Sequence, residues 1–111
     1  MEISTRKDGK SIVVSVSGKL DAVTSSVYEK KLTELISGGE KSIVVDFSAL
    51  EYISSAGLRS ILATSKALKA GGGRIALANI KAGVKDVFDI SGFGTIFRMH
   101  DSVESALRET A

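Results

Sequence analysis

Residues 11 to 17, SIVVSVS, set Ile12, Val14 and Val16 at every second position with Val13 and serines between them. That β-branched alternation is what a strand half-buried in a sheet requires. Asp8-Gly9 predicts a turn ahead of it, with Glu2 to Arg6 as the hairpin partner, and Gly18 closes the strand. From about Ser25 the apolar period lengthens to that of a helix, with Tyr28, Leu32, Leu35 and Ile36 on one face. Ser26 and Glu29 have the spacing of a capping box, and Gly38-Gly39 end the helix.

Residues 42 to 47, SIVVDF, are almost continuously apolar and predict a central strand buried on both faces, with Asp46 and Ser48 at its end. A second helix follows, its Leu58, Ile61, Leu62, Ser65 and Leu68 recurring at helical spacing until Gly71 to Gly73 stop it. RIALA at 74 to 78 is a short strand, Val84, Val87 and Phe88 mark a brief third helix ending near Gly92, and TIFRM at 95 to 99 predicts a last strand. Asp101 and Glu104 are placed to cap a final helix whose Val103, Ala106 and Leu107 face inward. The predicted order is therefore β-β-α-β-α-β-α-β-α. Connections after the first strand pair are too long for hairpins, so the fold class is α/β, a mixed, mostly parallel sheet with about four helices packed on it. The absence of repeats and linkers in the sequence predicts one domain over residues 1–111.

Composition narrows the function more than the fold. A chain of 111 residues with 43% hydrophobic and 25% charged positions is built to bury a core. A net charge of +2 without a dense Lys/Arg run predicts no nucleic-acid partner. No run of about 18 apolar residues occurs, which predicts no membrane insertion, and MEISTRKDGK lacks the apolar stretch of a secretory signal, so a cytoplasmic location is expected. With no cysteine and one histidine, disulfide and thiolate chemistry drop out, and neither a metal nor a cofactor is expected.

The stretch from Asp46 to Leu62, DFSALEYISSAGLRSIL, is the most informative. A buried strand leads through a short connection into a helix whose first turn begins at Ser54-Ser55. Unpaired N–H groups and the positive end of the helix dipole meet there, so one serine can cap the helix and an anion on the other is tolerated. The small Ala56 and Gly57 leave room for another backbone to approach the hydroxyl. Arg59, one turn on from Ser55, leans back toward it.

These residues resemble the STAS domains of the anti-sigma-factor antagonist family, over nearly the whole chain. The family's serine, small residue, glycine and leucine at the head of the second helix are matched by Ser55-Ala56-Gly57-Leu58, and its Gly-x-Leu-Asp after the early strand by Gly18-Lys19-Leu20-Asp21. The resemblance implies a STAS fold and a non-enzymatic partner switch. In that cycle the unphosphorylated protein binds an anti-sigma factor, itself a serine kinase of the histidine-kinase-like ATPase superfamily, and so releases the sigma factor. The kinase phosphorylates Ser55, which switches binding off, and a PP2C-type phosphatase restores it. Many members carry Asp before the serine where this chain has Ser54, so Ser54 is the second choice of phosphoacceptor. Partner contacts are expected from Asp21, Ser54, Ser55, Ala56, Gly57 and Arg59. The alternative is a STAS-type structural subunit of a lipid-transport ABC system, or of a stress-signalling complex, without a phosphate cycle.

Other motifs read as structure. His100 with a serine and Asp46 or Asp101 suggests a hydrolase, yet no G-x-S-x-G elbow is present. Gly39-Glu40-Lys41-Ser42 has the wrong glycine spacing for a P-loop, and Gly92-Phe93-Gly94 lacks the third glycine of a dinucleotide site. Phe93 and Phe97 are expected in the core rather than exposed.

Overall fold

The computed structural model describes residues 1–110. Among these, the elements run β1 (Glu2–Asp8), β2 (Ser11–Leu20), α1 (Ser25–Ser37), β3 (Ser42–Asp46), β4 (Leu50–Ile53), α2 (Ser55–Ala70), β5 (Arg74–Ala78), α3 (Ala82–Ile90), β6 (Met99–His100) and α4 (Val103–Thr110). The main sheet has the order β1-β2-β3-β5-β6, antiparallel between β1 and β2 and parallel elsewhere, as the long connections require. Asp8 pairs with Ser11 across a two-residue loop in which Gly9 takes φ +59°, the geometry of a type II′ hairpin turn.

The strand alternation sorts side chains onto two faces. Ile12, Val14 and Val16 of β2, Ile43 and Val45 of β3, and Ile75 and Leu77 of β5 pack beneath Tyr28, Leu32, Leu58, Ile61, Leu68, Val84 and Phe88 of α1, α2 and α3. Val13, Val44, Ala76 and Ala78 point the other way and are covered by Val103, Ala106 and Leu107 of α4. The sheet is thus buried on both faces at its centre, which is why β3 and β5 read as unbroken apolar runs.

Four local expectations change. The connection into α2 contains β4, a strand the sequence did not suggest: its burial runs inward at Leu50 and Ile53 and outward at Glu51 and Tyr52, with no alternation. It exists because β2 extends beyond β3. Ser11 to Ser15 of β2 pair with β3, while Gly18, Lys19 and Leu20 pair with β4 past a register shift at Gly18, whose φ of +82° admits the bulge. Gly18 therefore bends β2 instead of ending it. The strand expected at 95 to 99 shrinks to Met99–His100, because Phe97 turns into the core and meets Phe88 edge-to-face at 5.9 Å between ring centroids. Phe93 packs partly buried beside the same cluster.

Neither capping box forms as expected. The N-cap of α1 is Thr24 and no side chain caps it, so Ser26 and Glu29 lie inside the helix. At α4 the Ser102 hydroxyl, not Asp101, accepts from the N–H of Ser105.

Tyr28 is fully buried between α1 and α2, and its hydroxyl lacks a hydrogen-bond partner among the described residues. Nearby Thr64 gives its own proton to the carbonyls of Ser60 and Ile61. Burial pushes the Tyr28 phenol well above its ordinary range, which the neighbouring Thr64 only partly offsets. Removing an unpaired buried hydroxyl also removes its desolvation cost, so Tyr28→Phe should leave stability unchanged or raise it by about 1 kcal/mol in chemical denaturation. A loss of more than about 1 kcal/mol would show that the hydroxyl does find a partner.

Candidate functional site

Helix α2 begins where β4 leaves the sheet. Ser54 keeps an extended backbone and its side-chain oxygen accepts from the Gly57 N–H at 3.2 Å, a serine cap that satisfies one of the orphan donors. Its own N–H donates to the Leu20 carbonyl at 3.0 Å, tying the start of α2 to the end of β2. Ser54 is thus a cap and a tether, with its oxygen engaged. Ser55, the first residue of the helix, is exposed. No acidic residue stands in the first turn of α2, so the positive end of the helix dipole beside Ser55 is not offset by a carboxylate there.

Gly57 has a different physical reason from the one its sequence position suggests. It is buried, and a Cβ on it would lie 2.5 Å from the Leu20 carbonyl oxygen and 3.0 Å from the Leu20 and Ile53 side chains. The missing side chain lets α2 sit down on β2; it does not open the surface to a visitor. Ala56 is half-buried beside it.

Asp21 directly follows Leu20. Its Oδ1 accepts from the N–H groups of Val23 and Thr24, both at 3.0 Å, and from the Thr24 hydroxyl at 3.2 Å, closing the turn into α1. These bonds, the Thr24 backbone N–H foremost, hold its carboxyl below the ordinary value of 3.8, against a smaller opposing effect of burial. The carboxylate therefore builds the turn that flanks the start of α2. Arg59 is exposed and joins Ser55, Leu58, Ser91 and Phe93 around a notch of about 230 Å³ between α2 and the end of α3. Among the described residues no ion pair engages its guanidinium.

Sequence reading missed the apolar surroundings. Val23 (82% exposed), Val27 and Tyr52 stand out from the turn after Asp21, from α1 and from β4, and Ile90 (86% exposed) precedes Ser91 of the notch. The signal was present as Val27 falling off the buried face of α1 and Val23 standing in the turn before it, but outward apolar residues are common enough singly to escape notice.

His100 is brought near neither Asp46 nor Asp101 as a proton relay. Its Nδ1 lies 2.8 Å from the Ser105 hydroxyl, a brace between β6 and α4, while its buried Nε2, 3.3 Å from a Glu109 oxygen, makes no hydrogen bond among the described residues. Asp46 instead accepts from the Ser48 N–H and from the Asn79 side chain, both at 3.0 Å, joining the ends of β3 and β5.

The family model for the STAS domain matches residues 2–106, a span that includes the glycine-fitted helix start and its serine pair. The chain belongs to the STAS domain family. Its relatives there are anti-sigma factor antagonists, and it is a member of that branch. BtrV of Bordetella bronchiseptica, provisionally named an anti-sigma factor antagonist, is 34% identical over 96% of this chain and 91% of its own. The anti-sigma F factor antagonist of Paenibacillus polymyxa is 30% identical over 88% and 85%. Among solved structures, the antagonist SpoIIAA in its unphosphorylated form superposes with a TM-score of 0.84 at 25% identity, covering 97% of this chain and 95% of that one. The phosphorylated form of SpoIIAA, a Bacillus cell-fate determinant, gives 0.76 at 24%, over 99% and 100%.

Two consequences follow from the geometry. Gly57→Ala should cost about 1–3 kcal/mol in denaturant unfolding, because backbone rather than a flexible side chain blocks the new Cβ. A depressed carboxylate stabilises the fold fully above its unfolded value and loses that contribution as pH falls through the lower folded value. Asp21 should thus titrate below 3.8 by NMR, and Asp21→Asn should flatten the pH dependence of stability in that acidic window.

Proposed function

We propose that the chain works as an anti-sigma factor antagonist through a phosphate switch at Ser55. In the unmodified state the start of α2, with Asp21 and Thr24 on one side and Arg59 on the other, docks an anti-sigma factor and frees its sigma factor. That anti-sigma factor is a serine kinase of the histidine-kinase-like ATPase superfamily; it phosphorylates Ser55 and is thereby released, and a PP2C-type phosphatase resets the cycle. The whole chain acts as one domain, in the cytoplasm, and as a binding protein, not an enzyme.

The observation that carries this reading is the division of labour between two adjacent hydroxyls. Ser54 is half-buried and its oxygen already accepts from the Gly57 N–H, so of the two hydroxyls it is the less accessible to a visiting kinase. Ser55 is exposed at the electropositive end of α2 with no carboxylate in the first turn, so a dianion there is locally tolerated. The exposed Val23 beside Asp21, Tyr52 just before Ser54 and Ile90 beside Ser91 supply the apolar contact a partner would cover. A phosphate adds about −1.5 to −2 charges, and burying it against apolar or acidic partner surface without compensation opposes docking. A penalty of about 3 kcal/mol lowers affinity roughly a hundredfold.

The test is incubation with the cognate kinase and ATP, followed by mass spectrometry and affinity measurements on wild type, Ser55→Ala and Ser55→Asp. Phosphate should appear on Ser55 and be absent from Ser55→Ala, and Ser55→Asp should bind the kinase more weakly. Phosphate on Ser54, or equal affinity of the modified and unmodified protein, would sink the proposal. Arg59 should hold the second phosphate ionisation below its ordinary value of about 6, so Arg59→Ala should raise it in a phosphorus NMR titration.

A further inference from the structure

The far end of α2 carries a second feature that the phosphate switch does not use. Strand β6 pairs with β5 only at Leu77 and Ala78. Below these residues the incoming chain at 96 to 98 diverges, and a groove of about 440 Å³ opens between it and the first half of β5. Its floor is apolar, formed by Ile75 and Phe97, with the half-exposed Ile96 at the mouth.

Backbone direction along β5 settles what this edge offers. The Arg74 N–H donates inward to the Lys41 carbonyl, while those of Leu77 and Asn79 donate outward to Arg98 and His100. By alternation the N–H and C=O of Ile75 also point outward, and among the described residues no strand meets them. A sheet edge with unmet donors and acceptors is a template for an added strand. The rim has a definite charge. Among the described residues Lys69, Arg74 and Arg98 line it with one carboxylate, Glu109, which lies 3.5 Å from Arg98. Arg98 remains 79% exposed despite that pair.

We propose that this groove is a second docking surface, which takes an extended acidic segment of another protein as a short strand beside β5. The outward peptide groups of Ile75 call for a guest backbone, and three cations against one carboxylate call for Asp or Glu at the guest's flanking positions. Lys69 lies fourteen residues beyond Ser55 on α2, about 21 Å along the helix axis. Binding here is therefore separate from the state of Ser55 and does not rest on the phosphate cycle.

The experiment titrates the ¹⁵N-labelled full chain with a capped peptide alternating valine and glutamate, following amide shifts and amide exchange. Saturable shifts at residues 74 to 76 and 96 to 98, with slowed exchange of the Ile75 N–H, are expected. The surface double variant Arg74→Glu/Arg98→Glu should keep its spectrum elsewhere and bind at least about tenfold more weakly. Ser55→Asp should bind as wild type does, and replacing the peptide's glutamates with lysine should abolish binding. Four results would each overturn the proposal: shifts centred on the start of α2, equal binding of the lysine peptide, unchanged Ile75 exchange at saturation, or no saturable binding by about 1 mM. The same shifts produced by free glutamate would also overturn it, since they would mark an anion site without strand addition. Failure of the peptide leaves the Ser55 switch standing, and failure of the switch leaves this groove standing.

Discussion

The hydrogen bond from the Ser54 N–H to the Leu20 carbonyl, made possible by the bare Cα of Gly57 against the same carbonyl, is the contact on which the rest of the molecule turns. It fixes the height and rotation of α2 on β2. Rotation decides which side chains are inside: with Gly57 inward, Leu58, Ile61, Ser65 and Leu68 follow it into the core, and Ser55 and Arg59 are left outside. Exposure of the candidate phosphoacceptor is thus a by-product of packing.

The same carbonyl joins two regions that are distant in sequence. Leu20 ends β2, and Asp21 opens the turn whose own amides tie up its carboxylate. The early Gly-x-Leu-Asp stretch and the later Ser-Ser-Ala-Gly stretch are therefore two sides of one joint. Gly18 supplies the bend, Leu20 the acceptor, Asp21 the turn, Ser54 the donor and cap, and Gly57 the clearance.

Much of the fold was legible in the sequence because periodicity reports burial directly. RIALA at 74 to 78 is the strand found, and the helices appear where the apolar spacing placed them. What escaped was whatever depends on a distant partner. Strand β4 has no alternation of its own and exists only because β2 outruns β3. The segment at 95 to 98 alternates like a strand, but Phe97 serves Phe88 and not a sheet neighbour. At the site, residue identity located the serine pair, while the packing duty of Gly57 and the exposed Val23 and Ile90 required the three-dimensional arrangement.

The shared use of β2 makes the chain between β3 and α2 a ruler. Both β3 and β4 run along one strand in one direction, with only residues 47 to 49 between them; Phe47 is fully buried there, and the Ala49 carbonyl accepts from Gly18. Lengthening that span by one residue would put β4 out of step with β2, displace Leu50 from its inward position and pull the Ser54 N–H away from the Leu20 carbonyl. Insertions and deletions should be poorly accommodated between Asp46 and Ser55, whereas the irregular stretch from Ser91 to Thr95, which sets no strand register, has slack to absorb them.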